Sequence, residues 1–440
     1  MLNDRKTIGA FVYELNRQTG TATILPKKRV YRCQFKPGNY KGDVVVPAQV
    51  TYRRKTYTVT AIGAELFSGC KRLTSVVIPN TVTAIDYATF KNCRELRHVE
   101  IPDGVTHIGN YTFKGCLNLT SVRLPQGLTK IENYAFYECR ALTSITIPEH
   151  IREIAVNAFR KCYTLKEIVV DKRNRVYDSR DYCNAIIDTK TQTLVTGCMN
   201  SKIPVSVPYI GESAFEDCEN MRAIKIPESV KSIGNRAFAC CVNLRSVHIP
   251  KSVENIGKQA FQGCAQLLRI EVHKGNKVYD SRGDCNALIH TRSNTLLRGS
   301  RNTIIPSGIV KIDEMAFDEC SELKSVAIPE SVKIVGECAF GNCPIENIVF
   351  PRGLISIELG AFFGCEELTE IVLPNQLKYI GEAVFASCSR LRSVVIPKSV
   401  EEMGIALFFD CESLETVKIE NENVIIKDDA FYYHDKVIWV

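Results

Sequence analysis

Thirteen of the 19 cysteines stand on one clock. From Cys70 through Cys93, Cys116 and Cys139 to Cys162 every step is 23 residues. From Cys218 through Cys241 to Cys264 it is 23 again, and from Cys320 through Cys343, Cys365 and Cys388 to Cys411 the steps are 23, 22, 23 and 23. A fixed period between 20 and 50 residues is the mark of a solenoid: each unit is too small to bury its own apolar side chains and acquires a core only by stacking on its neighbours. The 440 residues would otherwise suggest about three globular domains; one array fills the same length.

The text around each clock cysteine recurs. One copy runs Ile131, Ala135, Phe136, Cys139, Leu142, Ile145, Ile147, Pro148, Ile151; another runs Ile233, Ala237, Phe238, Cys241, Leu244, Val247, Ile249, Pro250, Val253. The template is I-G-x-x-A-F-x-x-C-x-x-L-x-x-I-x-I-P-x-x-V. Ala135, Phe136 and Cys139 fall at i, i+1 and i+4, which reads as one face of a short helical turn. Leu142, Ile145 and Ile147 end in the alternation of a strand. Pro148 stops that strand, because it has no N–H for a central ladder.

The L-x-x-I-x-I core with I-G-x-x-A-F-x-x-C before it and Pro after it resembles the BspA-like (Treponema pallidum type) bacterial leucine-rich repeat proteins, over about residues 57–431. The resemblance implies an α/β repeat solenoid: a curved right-handed coil with a parallel β-sheet on its concave side, short helical turns on its convex side and β-hairpin inserts. Members are mostly surface or secreted proteins, several of them adhesins that bind host or bacterial proteins, so the resemblance also implies a cell-surface location and a protein partner.

Two segments leave the clock. Cys162 to Cys218 and Cys264 to Cys320 each span 56 residues, one repeat plus 33. The extra text is duplicated: Asn174, Tyr177, Asp178, Ser179, Arg180 and Cys183 in one copy, Asn276, Tyr279, Asp280, Ser281, Arg282 and Cys285 in the other. Apolar pairs separated by Thr-Lys-Thr-Gln or Thr-Arg-Ser-Asn read as hairpins, placed at about 171–202 and 273–304 within an array over 57–420. Tyr-Asp-Ser-Arg is the most site-like text in the chain. Its plainer reading is that Asp178 and Arg180 satisfy turn backbone groups and each other. Residues 1–56 read as an N-terminal β cap with a hairpin across Gly20 and a degenerate first repeat. Residues 421–440 read as a C-terminal cap, with half a template at Val424 and Ala430–Phe431 and a last strand at Val437–Trp439.

The chemistry-bearing motifs are missing from the text. There is no phosphate-cradling G-x-x-x-x-G-K-[ST], no G-x-S-x-G and no H-E-x-x-H. The seven histidines occupy different repeat positions. Cys285 with His290 is a conceivable nucleophile pair, but no orienting partner is evident. A one-dimensional column of cysteines does not make a tetrahedral metal site. Neighbouring thiols in it would stand about 4.8 Å apart with two equal partners each, which gives disulfides no pairing rule. The column reads as reduced, buried thiols reaching loop carbonyls, with Cys240 and Cys338 off it and more accessible. The expectation is a non-enzymatic chain without cofactor or metal. A net charge of +7 spread over the whole length falls short of a nucleic-acid footprint. No run of ~20 apolar residues would span a membrane as a helix, and no secretory signal precedes the array, so location stays open.

What remains is surface. In L-x-x-I-x-I the three x positions face out from the sheet. Arg222, Lys225, Arg245, His248 and Arg269 form a basic cluster over three adjacent turns, and Ala327, Val349, Val372 and Val395 an apolar stripe over four. A solvated charged face accounts for the first and β-propensity for the second. As a site, the two suit a protein or glycan partner of a monomeric binding or adhesion module. The alternative is a structural spacer or intracellular scaffold with no specific ligand.

Overall fold

The computed structural model describes residues 4–27, 29–30, 34–35, 40–426 and 437–439, which fall into two compact units, residues 1–220 and 221–440. In the first unit, strands Lys41–Val45, Arg72–Val77, His98–Glu100 and Ser121–Arg123 form a parallel sheet in chain order, and Ser144–Ile147 pairs with Glu167–Val170 in the same sense. The register advances by one repeat at each step: Val99 lies opposite Val76 and Val122, and Ile145 opposite Ile168. Every second side chain is buried and the ones between are exposed, as the period of two demands. Two-residue strands such as His107–Ile108, Lys130–Ile131 and Glu153–Ile154 form a second parallel ladder after the proline. At the N-terminus, Asp4–Ile8, Phe11–Asn16 and Thr21–Leu25 make an antiparallel meander, turning at Gly20 with φ 71°, and Thr21–Leu25 continues in parallel onto Lys55–Ile62.

The second unit repeats the scheme. Ser246–Ile249 pairs with Arg269–Val272, Ser325–Ala327 with Asn347–Val349, and Ser393–Ile396 with Thr416–Ile419, to which Val437–Trp439 adds in parallel. Lys311–Ile312 begins a parallel ladder that runs to Ile425–Ile426. Ala430 and Phe431 of the expected terminal half-template, and Cys33, lie outside the described residues.

The expected helical turns are not formed, which corrects the reading of A-F-x-x-C as a helix face. The described residues contain two single-turn 3₁₀ segments, Arg180–Tyr182 and Arg282–Asp284, and no α-helix. The outer arc of each turn instead alternates in handedness. Tyr134 and Glu138 have φ of 57° and 63°, and the equivalent residues of other turns are left-handed again, among them Tyr111, before Thr112, and Gly115, before Cys116. An α-helix needs right-handed residues throughout. The alternation sends every other amide sideways: Tyr111, Phe113 and Gly115 donate to Asn133, Ala135 and Tyr137 one turn on, at 3.1, 2.8 and 2.8 Å, while Thr112, Lys114 and Cys116 donate three residues back in their own turn. Adjacent turns are thus stitched by main-chain hydrogen bonds in the arc as well as in the sheet.

Inside each arc lies a phenylalanine. Phe67, Phe90, Phe113, Phe136 and Phe159 stack with centroids 5.2–5.4 Å apart and planes within 10°. Phe317, Phe340, Phe362, Phe385 and Phe408 stack in the same way in the second unit, 5.0–5.9 Å apart. None of the 18 described cysteines is in a disulfide. Cys93, Cys116, Cys139 and Cys162 donate Sγ–H to the carbonyls of Phe67, Phe90, Phe113 and Phe136 at 3.0–3.2 Å. Cys343, Cys365, Cys388 and Cys411 do the same at 3.1–3.4 Å.

In each insert the chain forms three antiparallel strands, Tyr177–Asp178, Ile186–Asp188 and Thr193–Thr196 in the first, Tyr279–Asp280, Leu288–His290 and Thr295–Arg298 in the second. There the phenylalanine slot is taken by Gly197 or Gly299, whose amides donate to Ala214 and Ala316 as a phenylalanine's would. A Cβ on either glycine would lie 2.0 or 2.1 Å from the ring of Phe215 or Phe317. The ring of the following turn has filled the vacated slot.

Candidate binding face

The parallel register sets the outward side chains in columns. Ala223 bridges to Ser246, Ser246 lies opposite Arg269, and His248 opposite Glu271. Arg222 and Arg245 therefore stand in one column, Ser246 and Arg269 in the next, and Lys225, His248 and Glu271 in a third, with rungs about 4.8 Å apart. All five residues of the expected cluster are exposed, and the structure brings them together on one face of residues 221–440.

They are not electrostatically equivalent. Glu271 Oε2 lies 3.2 Å from Arg269 Nη2 and 3.9 Å from His248 Nδ1, so this carboxylate balances one side of the cluster. Arg222, Lys225 and Arg245 form no ion pair among the described residues. The charge excess is thus centred on two turns. The signal was in the sequence, since Glu271 follows His248 by one period, but a search for like charges passes over the acid among them.

The apolar stripe is also built by the register. Ala327 lies opposite Val349. The bridges from Asn347 to Glu370 and from Glu370 to Ser393 carry the column on through Val372 and Val395, where Val395 meets Lys418. Val349 and Val372 are 77% and 82% exposed, Val395 43%. On one flank Lys324 and Glu346 pair at 3.3 Å in the open, where such a contact contributes little to stability. Three aligned valines with two nearly full side chains in water are a small apolar ridge bordered by polar side chains.

The inserts' Tyr-Asp-Ser-Arg is absorbed by the fold. Asp178 accepts from the backbone N–H and guanidinium of Arg180, which continues to Gln192 Oε1 at 2.8 Å. Ser179 accepts the amide of Val170, Tyr177 Oη that of Ile154, and Asn174 those of Val176 and Tyr177. Asp280, Ser281, Tyr279 and Asn276 repeat these bonds. Each side chain substitutes for the backbone partner that the irregular turn withholds. His290 bonds Ser293 Oγ at 2.8 Å, and burial pushes the thiols of Cys183 and Cys285 up, that of Cys183 to about 11, the opposite of what activates a nucleophile. Among the described residues no three His, Cys, Asp or Glu are grouped to hold a metal ion, and no helix is long and apolar enough to cross a membrane.

The chain is similar to solved bacterial proteins over most of its length. A leucine-rich cell surface protein of Faecalibacterium prausnitzii A2-165 is 28% identical, with a TM-score of 0.50 and 94% of each chain covered. A leucine-rich repeat protein of Bacteroides ovatus ATCC 8483 is 25% identical, with a TM-score of 0.48 and 99% of each chain covered. A leucine-rich repeat protein of Eubacterium ventriosum ATCC 27560 shares the fold at 22% identity, with a TM-score of 0.51, 82% of this chain and 94% of that one covered. No curated protein matches the sequence. Residues 60–185, 195–283 and 301–438 match six copies of the BspA type leucine rich repeat region, and with the stacked turns, the parallel register and the cysteine column this makes the chain a member of the BspA-type leucine-rich repeat family.

Proposed function

We propose that the chain is a non-enzymatic binding module, and that the outward columns of residues 221–440 recognise acidic groups on a protein or glycan. The carrying observation is the juxtaposition of Arg222, Lys225 and Arg245 on neighbouring rungs without an ion pair among the described residues. Like charges on one face of paired strands repel, and an acidic partner relieves that repulsion. Arginine is also enriched among the anchors of interfaces. The F. prausnitzii relative, named as a cell surface protein, supports a cell-surface setting. The intact chain should be tested on a panel of neutral, sialylated and sulfated glycans and on acidic and basic proteins. Binding that favours the acidic members and weakens with salt supports the reading; indifference to charge sinks it.

A second reading rests on Val349 and Val372, whose exposure suits an apolar partner segment. Binding that survives high salt and is lost in Val349→Asp selects the stripe over the cations.

A further inference from the structure

The residue after each stacked phenylalanine lies on the outer arc. In the first unit that position holds Ser68, Lys91, Lys114, Tyr137 and Arg160, so the fold accepts polar and charged side chains there. In residues 336–413 it holds Gly341, Phe363, Ala386 and Phe409. The sideways main-chain bonds keep these in register: Asn342 donates to the carbonyl of Phe363, Gly364 to that of Ala386 and Ser387 to that of Phe409, at 2.7, 2.9 and 2.7 Å. Phe363 is 40% and Phe409 45% exposed, while Ala386 between them is 1% exposed. Its neighbours therefore close over the alanine, and the three residues make one apolar strip.

A second column runs along the same arc. Cys338 donates to the carbonyl of Leu359, Gly360 to that of Glu382 and Ala383 to that of Ile405, at 2.9, 2.8 and 2.9 Å. Leu359 and Ile405 are 41% and 38% exposed. Four large apolar side chains thus stand part-way into water on the outer arc of three adjacent turns, at positions where other turns of the chain carry polar ones.

The arc around them is acidic. Residues 336–343, 358–367, 381–390 and 404–413 hold seven carboxylates and one cation, Arg390, which pairs with Glu367. Glu337, Glu366, Asp410 and Glu412 are exposed and form no ion pair among the described residues. The matching arcs of the first unit carry Lys91, Arg94, Lys114 and Arg140, so the acidity is not a requirement of the repeat.

We propose that the outer arc of residues 336–413 is an interaction surface, separate from the strand columns, and that it takes a cationic amphipathic segment of a partner protein. Exposed apolar side chains rimmed by polar ones mark contacts between proteins, and aromatic residues are enriched in them. Phe363, Phe409, Leu359 and Ile405 bury the large apolar side chains of the segment. The carboxylates beside them meet the lysines or arginines that flank those side chains, and the same carboxylates repel an acidic partner.

The test is fluorescence anisotropy of the intact chain with three labelled peptides: Lys-Phe-Lys-Leu-Lys-Phe, Lys-Ser-Lys-Ser-Lys-Ser and Glu-Phe-Glu-Leu-Glu-Phe. The first should bind at least tenfold more tightly than either of the others. Phe363→Ser with Phe409→Ser, and separately Leu359→Ser with Ile405→Ser, should each melt near the native temperature and weaken that peptide tenfold or more. Glu366→Lys with Glu412→Lys should weaken it as well, and Arg222→Glu with Arg245→Glu should leave it unchanged. The proposal is overturned if the serine peptide binds as tightly as the first, if the acidic peptide binds better, or if both folded apolar variants bind as the native chain does. It is also overturned if sedimentation shows the native chain self-associating and Phe363→Ser with Phe409→Ser abolishes this, because the occupant is then a second copy.

Discussion

The Sγ of Cys116 and the amide of Cys93 share one acceptor, the carbonyl of Phe90, each at 3.1 Å. The carbonyl of one turn therefore closes its own arc and also holds the next. Because the thiol is the second donor rather than the only one, replacing it orphans no carbonyl. Cys116→Ala should cost about 1–2 kcal/mol from the lost bond and a small cavity, as read from denaturant melts. A loss above ~4 kcal/mol would mean that the column does more than pack and tie.

The same burial makes the fold alkali-labile. Desolvation raises the thiols of Cys162, Cys264 and Cys365 from an ordinary 9.0 to about 12, and that of Cys70 to about 11. These groups keep their protons in the folded chain and lose them when unfolded. Stability is thus fully present below pH 9 and declines as pH rises from 9 towards 11–12, by up to about 1.4 kcal/mol per pH unit for each such thiol. Chemical-denaturation midpoints should fall steeply from pH 9 to 11, and thiol reagents at pH 8 should find few reactive groups before unfolding. A flat profile would place the cysteines in water.

Phe136 is fully buried between two rings. Phe136→Ala should destabilise by about 3–5 kcal/mol. Gly197→Ala tests the vacated slot from the other side: its Cβ meets the Phe215 ring, and overpacking of this kind costs about 1–3 kcal/mol. A neutral Gly197→Ala, at a position with no left-handed φ, would show that the ring is not held there.

Arg160 is the cation for two buried carboxylates, Glu216 and Asp217, whose side chains are 1% and 5% exposed. Arg160→Ala should cost about 3–5 kcal/mol by removing the guanidinium that these buried carboxylates pair with. Gln262→Ala, its counterpart in the second unit, removes a neutral bridge to Asp318 and should cost less, about 1–3 kcal/mol. Equal effects in thermal melts would contradict the difference between an ionic and a neutral bridge.

On the exposed columns, Arg222→Glu with Arg245→Glu should leave the melting temperature nearly unchanged, since surface substitutions stay within about 0.5 kcal/mol, while binding of any acidic partner falls at least tenfold and loses its salt dependence. Retained binding together with loss in Val349→Asp transfers the site to the stripe.

Much of this was legible because a solenoid turns sequence spacing directly into spatial columns. The period alone set Arg222 beside Arg245 and Val349 beside Val372. The arc was misread for a physical reason. Ala135, Phe136 and Cys139 share a face both in a helix and in a doubly kinked arc, and only the backbone signs at Tyr134 and Glu138 separate the two. Those positions hold glycine in some turns, as at Gly115, but glutamate, lysine or cysteine in others, as at Glu138, Lys161 and Cys240, so composition gives a diluted signal. The bridge from Arg160 to Glu216 was hidden because it needs two arcs 56 residues apart to meet, and neither arc is unusual by itself.

The glycine turns also bear on how such a chain changes over generations. A stack of rings has a register: each phenylalanine rests on another, so a cut rejoined out of step by part of a turn leaves one ring displaced. Gly197 and Gly299 offer a flat seat with no ring of its own, onto which Phe215 or Phe317 settles. Such a turn adds chain without adding a ring, because the ring of the next turn takes its place.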